Sequence, residues 1–301
     1  MKVRAVFNRD GGTFKTTDMK EYCARATEAF RAAGHEVKCT VVAGSEILKA
    51  LQSAAGEPGV EALVAGGGDG TVSTAAGIAW KEGLPLGVIP AGTMNLFARS
   101  LKIPLDIHAA LPALATGTVQ PVDISTANGK PFVHQFSAGM HARMVRMRDS
   151  MNYASRLGKM RANVRAAFGV MLKPPRFEVI FDMDHDGRGE HRVVSAISVS
   201  NNPFGKNPLF FADDLTSGKL GVYLTDPLET AGVVRLAVDI LRGRLKDNES
   251  VTAATAEVVR LHFPKRRHGA LCVMDGELLH MPRDVELQQH PGELKVLVPS
   301  M

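Results

Sequence analysis

Residues 66 to 71 read Gly66-Gly67-Gly68-Asp69-Gly70-Thr71, four glycines and an acid between an apolar run and a helical pattern. Glycines let a backbone turn tightly and approach a ligand with no Cβ in the way. The start of the following helix offers N–H groups and the positive end of its dipole, which suit phosphate oxygens. The Thr71 hydroxyl adds a donor. Asp69 has the wrong sign for phosphate unless a cation intervenes, so it is assigned to the hydration shell of a magnesium ion. The plain alternative is a glycine turn whose aspartate caps the helix. Four glycines around one acid weigh against it.

A second loop, Pro90-Ala91-Gly92-Thr93-Met94-Asn95, has the same setting between strand and helix. Thr93 and Asn95 suit hydrogen bonds to phosphate or ribose, with Arg99 one turn on. Alone this loop reads as a helix-capping turn. Paired with the first, at the sheet edge where open α/β folds bind ligands, it indicates a nucleotide site. Neither loop carries the lysine of GxxxxGK[ST], and the spacing GxGxxG is not met, which excludes a P-loop and disfavours a dinucleotide fingerprint.

The elements that must hold these loops follow from periodicity. Strands are expected at 3–7, 37–42, 60–65 and 84–89. Helices are expected from Thr17 as cap to Ala33, from Ser45 as cap to Ala55, from Val72 to Trp80 and from Met94 to Leu101. Strand-loop-helix repeated four times implies a parallel sheet covered by helices. After Val119 the pattern changes. Asn128-Gly129 marks a hairpin, and strands are expected at 176–183, 193–200, 220–225, 250–263, 270–274 and 294–298, interrupted by one helix at 229–241. The division expected is an α/β domain, 1–124, and a β-rich domain, 125–301.

The two loops resemble the diacylglycerol kinase catalytic family, which includes bacterial lipid kinases and the sphingosine and ceramide kinases. The resemblance implies a doubly wound parallel sheet of the NAD kinase/diacylglycerol kinase type and a mainly antiparallel β-sandwich. It implies ATP as donor and Mg²⁺ as cofactor. Asn8, Gly11 and Gly12, in NRDGG, stand at the family's phosphate loop without its proline and serine. Thr40, read as ending the second strand, matches a threonine near the nucleotide. With Gly67, Gly68, Asp69, Gly70, Thr71, Val72, Thr93 and Asn95 these make the implied nucleotide site. Asp123 matches an acid at the domain junction. Asp275-Gly276-Glu277 matches the motif of the catalytic base, which implies Glu277 as base and Asp275 as its orienting partner or a magnesium ligand with Asp69. A carboxylate suits that task because a lipid hydroxyl must lose its proton as the phosphoryl group arrives. Read alone, the motif is a β-turn with two solvated acids.

The chain also departs from the pattern. Leu96 replaces a second acid after Asn95, and His141 stands where an aspartate is usual, lining an acceptor pocket or merely packing, as His134 does. Asp214 and Ser217 fall at a structural magnesium turn, with serine in place of an aspartate.

The bulk properties bound the setting. Hydrophobic residues make up 45% of 301, and the three cysteines form no CxxC pair, which suits a reducing cytosol. No apolar run suggests a signal peptide or a membrane span. The formal charge is +5, yet Arg143 to Arg176 holds nine basic residues and one acid. Within it, apolar positions from Met144 to Met171 step by three or four as on one helical face. This stretch either docks on an anionic membrane or is a solvated helix face. The reading is a cytoplasmic enzyme, peripheral at the inner membrane face, acting on a lipid and not on nucleic acid, with a homodimer left open. Two other readings stand beside it. One is a kinase for a soluble acceptor such as NAD, although Asn248-Glu249 lies too late for the ribose-reading pair. The other is a non-catalytic descendant that binds nucleotide or lipid.

Overall fold

The computed structural model describes residues 1–149, 174–184, 187, 189–266 and 268–300. The chain divides into two compact units. The first comprises Met1–Ile124, Asp214–Ser217 and His290–Met301, and the second Ser125–Asp213 and Gly218–Gln289.

The first unit runs β1 (Lys2–Asn8), α1 (Met19–Ala32), β2 (Glu36–Val42), α2 (Ile47–Ala55), β3 (Ala62–Gly67), α3 (Asp69–Glu82), β4 (Leu86–Pro90), α4 (Leu96–Ser100) and α5 (Ile107–Ala115). Its strands lie parallel in the order β2-β1-β3-β4. Each β-α-β step must cross over through a helix, because parallel neighbours cannot be joined by a tight turn. The helix α1 packs with α5, and α2 with α3. Asp18 caps α1, accepting from the N–H groups of Lys20 and Glu21, while Tyr22, Ala26 and Phe30 recur every four residues on its buried side. Thr17 was expected as that cap; its hydroxyl instead donates to the Thr13 carbonyl. A 3₁₀ turn, Gly44–Glu46, precedes α2 where Ser45 was expected to cap it. The aromatic rings of Phe7, Phe14 and Tyr22 meet at centroid distances of 5.2 to 5.6 Å. Burial holds the Tyr22 hydroxyl protonated, far above its ordinary range, and it donates to the Ile107 carbonyl at 2.8 Å. The helix α5 was not anticipated, since Pro112 lies inside it. Asp106 caps it, and Ile107, Ala110, Leu111 and Leu114 bury its apolar side.

The second unit begins as β5 (Thr118–Ala127) leaves the first, and turns at Asn128-Gly129 into β6 (Lys130–Phe132), both turn residues having positive φ. There follow β7 (Gln135–Gly139), α6 (Met140–Asp149), β8 (Phe177–Met183), β9 (Glu190–Val194), β10 (Ala196–Ser200), β11 (Leu220–Thr225), α7 (Thr230–Leu241), β12 (Val251–Ala256), β13 (Val258–His262), β14 (Leu271–Met274), β15 (Glu277–His280) and β16 (Asp284–Val298). One antiparallel sheet has the order β12-β11-β10-β7-β14-β15, and β9-β8-β13 with the start of β16 form another. Their inward residues, among them Phe132, Phe136, Val179, Phe181, Ile197, Val222, Leu261 and Leu287, share one core. This is the sandwich the resemblance implied.

Two expected strands are each two. Residues 193–200 break at the fully buried Ser195, and 250–263 at Glu257, because the chain passes between sheets at both places. The C-terminal segment, expected in the β-rich domain, belongs to the first unit, where Val296 pairs with Leu86 of β4. Most of the basic stretch, 150–173, lies outside the described residues, so the expected helix from Met144 to Met171 is described only as α6.

The joint between β7 and α6 depends on Gly139. Its φ is +87°, and a Cβ there would lie 2.3 Å from the Ser195 carbonyl oxygen. Gly139→Ala should cost roughly 2–4 kcal/mol, read as a lowered melting temperature. An unchanged melt would mean that the joint is pliable.

Candidate functional site

In the order β2-β1-β3-β4 the chain leaves β1 toward β2 on one side and returns to β3 on the other. The carboxyl ends of β1 and β3 therefore flank the reversal point where open parallel sheets bind ligands. Asn8–Gly12 follows β1 and Gly68-Asp69-Gly70-Thr71 follows β3, so both glycine loops meet there. The Asn8 amide donates to Thr71 Oγ1 at 3.1 Å and so links them. The loop after β4 closes the group: the Thr13 N–H donates to the Ala91 carbonyl at 2.8 Å. A Cβ on Gly92 would lie 2.7 Å from Gly68 Cα, so only glycine lets the second and third loops touch backbone to backbone.

Helix α3 begins at Asp69, three residues earlier than expected, with Gly68 as its cap and no side-chain cap. Its first turn thus contains Asp69, Gly70 and Thr71, whose N–H groups have no partner within the helix. Asp69 points away from that turn. Its Oδ2 accepts from the Asn95 N–H at 3.1 Å and its Oδ1 from the Leu96 N–H at 2.7 Å. The carboxylate thereby caps α4 from another loop, 26 residues away in the chain. Asn95 adopts φ +51°. Its side chain accepts from the Gly92 N–H at 2.8 Å and donates to the Gly92 carbonyl at 3.1 Å, so it fixes its own loop instead of reaching for ribose. Thr93 is exposed at the tip, Gly11 is buried and Gly12 exposed, and Val72 is in the buried side of α3. Thr40 does not end its strand. It is exposed within β2, opposite Val6, while Val42 is the residue opposite Asn8. Asp10 and Gly92 were missing from the expected site. Asp10 Oδ2 accepts from the Gly44 N–H at 2.8 Å, joining the loops after β1 and β2; an acid beside a paired glycine at a strand end was the available signal.

The second unit carries the other motif. Asp275 and Gly276 have φ of +46° and +85° and form the two-residue turn between β14 and β15, with Met274 opposite Glu277. Only one of the two acids is solvated. Asp275 is 7% exposed, and its carboxylate accepts N–H groups from Val133 at 2.9 Å, His134 at 2.9 Å and Gln135 at 3.0 Å. These oxygens are committed inside the unit, which argues against the magnesium role implied for Asp275. They fix the hairpin that presents Glu277, which is exposed. His141 opens α6 with Nδ1 2.7 Å from Ser137 Oγ, and His134 Nε2 lies 2.9 Å from the Phe210 carbonyl.

The remaining candidates are internal ties. Asp123, 1% exposed, accepts from the Gly292 N–H at 2.9 Å. Asp214 Oδ1 accepts both the N–H and the hydroxyl of Thr216 at 2.7 Å each. One exposed carboxylate so engaged, with Ser217 beside it, is not a cation cage. Among the described residues no three His, Cys, Asp or Glu side chains gather to hold a metal. Asp69 does fit Mg²⁺ in the way nucleotide sites use it, since each oxygen keeps a lone pair and Mg²⁺ retains water and phosphate ligands. Burial pushes the Cys272 thiol up to about 11, which removes it as a nucleophile.

The model of the diacylglycerol kinase catalytic domain matches residues 2–127, the stretch that contains all three loops. The chain is 26% identical over 274 residues to a diacylglycerol kinase of Bacillus subtilis (strain 168), covering 88% of this chain and 87% of that protein. Residues 2–127 thus match a diacylglycerol kinase catalytic domain, and the similarity to the relative extends over most of the chain. A further relative, named "Probable lipid kinase YegS-like", from Pseudomonas aeruginosa (strain UCBPP-PA14), is 37% identical over 121 residues, 40% of each chain. A crystal structure of a diacylglycerol kinase from Bacillus anthracis str. Sterne shares the fold, with a TM-score of 0.70 and 18% identity over 99% of this chain and 96% of that one. The structure separates the acids of GGGDGT and DGE into ties (Asp69, Asp275) and a presented carboxylate (Glu277).

If Asp69 is the tie between loops, its loss must be felt without any ligand. Asp69→Ala should lower the stability of the ligand-free protein by roughly 2–4 kcal/mol, since two charge-assisted hydrogen bonds are lost. Unchanged melting without nucleotide and magnesium, with activity lost, would make Asp69 a metal ligand and nothing more.

Proposed function

We propose that this protein transfers the γ-phosphoryl group of ATP, with Mg²⁺, to the hydroxyl of a membrane lipid. The observation that carries the reading is the convergence of three loops at the reversal point of the sheet, where α3 begins. In this reading the N–H groups of Gly70 and Thr71 and the Thr71 hydroxyl bind phosphate oxygens. Asp69 would hold Mg²⁺ through its water shell, and the ion would supply neutralisation of the phosphate charge. Glu277 accepts the proton of the acceptor hydroxyl as its oxygen bonds to the γ-phosphorus and ADP leaves. Asp275 positions Glu277 through the hairpin and does not take part in the transfer.

The names of the relatives, diacylglycerol kinase and probable lipid kinase, support a lipid as acceptor, and we propose one of diacylglycerol, phosphatidylglycerol or sphingoid type. The NAD reading shares the glycine loop, but the Asn248-Glu249 pair offers it nothing. Asn248 is buried, donates to Asp239 Oδ2 at 2.6 Å and accepts from the Ser250 N–H at 3.0 Å, so it shapes a turn. Cytoplasmic placement at an anionic membrane surface belongs to the same proposal. Among the described residues no helix is long and apolar enough to cross a membrane.

Two variants test the assignment. Glu277→Gln should lower kcat by roughly 10²–10⁴-fold with ATP affinity nearly unchanged. Gly70→Val should abolish ATP binding, because it places a side chain in the first turn of α3. Near-normal turnover in the first variant removes Glu277 as base; tight ATP binding by the second puts the nucleotide elsewhere.

A further inference from the structure

Helix α7 presents apolar side chains on two sides. Val233 and Leu236 are buried against Phe204, Tyr223 and Val251 on the outer face of the six-stranded sheet. Val234, Val238 and Leu241 follow one another at steps of four and three and are 47%, 38% and 74% exposed. Such spacing places three side chains along one helical stripe. A helix needs one apolar side to pack, so the second has no structural purpose inside the unit.

The surroundings of the stripe are basic at its C-terminal end. Arg242, Arg244 and Lys246 follow Leu241 and are exposed. The exposed Lys206 joins them, since a Cβ on Gly243 would lie 3.1 Å from the Lys206 backbone. Asp247 pairs with Arg244 at 3.0 Å and Asn248 holds Asp239, so the acids nearby are engaged. Exposed apolar residues bordered by cations are the composition of a helix that lies in the headgroup region of an anionic bilayer. A second copy of the chain is a poorer occupant. Three side chains cover little of the roughly 800 Å² per partner that a stable dimer buries.

We propose that α7 is a membrane-docking element, with Val234, Val238 and Leu241 entering the interface of an anionic bilayer and Arg242, Lys246 and Lys206 meeting its headgroups. The proposal rests on the lipid-kinase reading for its purpose but on α7 alone for its evidence. It is distinct from the basic stretch 143–176, most of which is outside the described residues. Docking by this element combines a salt-insensitive apolar part with a salt-sensitive cationic part.

The test is sedimentation of the full chain with phosphatidylcholine vesicles containing increasing phosphatidylglycerol, at low and high salt. A triple variant, Val234→Ser, Val238→Ser and Leu241→Ser, should bind such vesicles about tenfold or more weakly at either salt concentration. Arg242→Glu with Lys246→Glu should weaken binding mainly at low salt and flatten its salt dependence. Phosphorylation of diacylglycerol in detergent micelles should stay within about twofold of the original in both variants, because neither touches the phosphate loops or Glu277. Wild-type vesicle binding by the triple variant overturns the proposal. So does a dimer of the unaltered chain that the triple variant dissolves, which would make a second copy the occupant. If the triple variant loses vesicle binding while even the unaltered chain phosphorylates no lipid in micelles, docking stands and the lipid-kinase reading falls.

Discussion

The carboxylate of Asp69 is the joint on which the first unit's chemistry depends. A parallel sheet delivers its loops to one edge but does nothing to hold them against each other. Here one side chain at the start of α3 accepts the N–H groups that open α4, and the loop after β3 becomes fixed to the loop after β4. The contact is possible because Gly92 and Gly68 let two backbones approach to van der Waals distance. Once joined, the loops frame the first turn of α3, whose N–H groups have no partner within the helix. The acid is therefore a strut, and in the proposed reading it would also orient the water of a bound cation.

The second unit solves a similar problem with Asp275. A hairpin tip is ordinarily the most mobile part of a sheet, and a carboxylate there would be poorly aimed. Three N–H groups from residues 133–135 converge on the buried Asp275 and fix the tip, so Glu277 projects from a rigid base. In the second motif a pair of acids that looks like shared chemistry resolves into one internal strut, Asp275, and one exposed group, Glu277. General acid–base groups work only when held in place. The same preference for a supported position explains Asp123, whose buried carboxylate accepts from the Gly292 N–H within β16.

Local patterns were legible in the sequence. GGGDGT, PAGTMN, Asn128-Gly129 and the alternation of strands with helices all announce themselves within a dozen residues, and the loops do lie where those patterns place them. Contacts between distant segments were not legible. Nothing in GGGDGT says that its aspartate turns toward Asn95, and nothing in DGE says that its first acid is buried beneath a turn some 140 residues away. Thr40 was placed by resemblance, although the strand expected at 37–42 already ran past it to Val42, as β2 does. The strands at 193–200 and 250–263 read as single runs, since periodicity does not record a change of sheet at Ser195 or Glu257. Helix α5 was hidden by Pro112, a residue that normally ends a helix, while the Asp106 cap and five buried side chains outweigh it.

The most direct measurement is incubation of the protein with γ-labelled ATP and magnesium, together with diacylglycerol, phosphatidylglycerol, sphingosine or ceramide in mixed micelles, and NAD as the soluble acceptor. The account predicts label in the organic phase, on one of these lipids and not on NAD, and dependent on magnesium. Label on NAD, or ATP bound with no transfer to any acceptor, would contradict it.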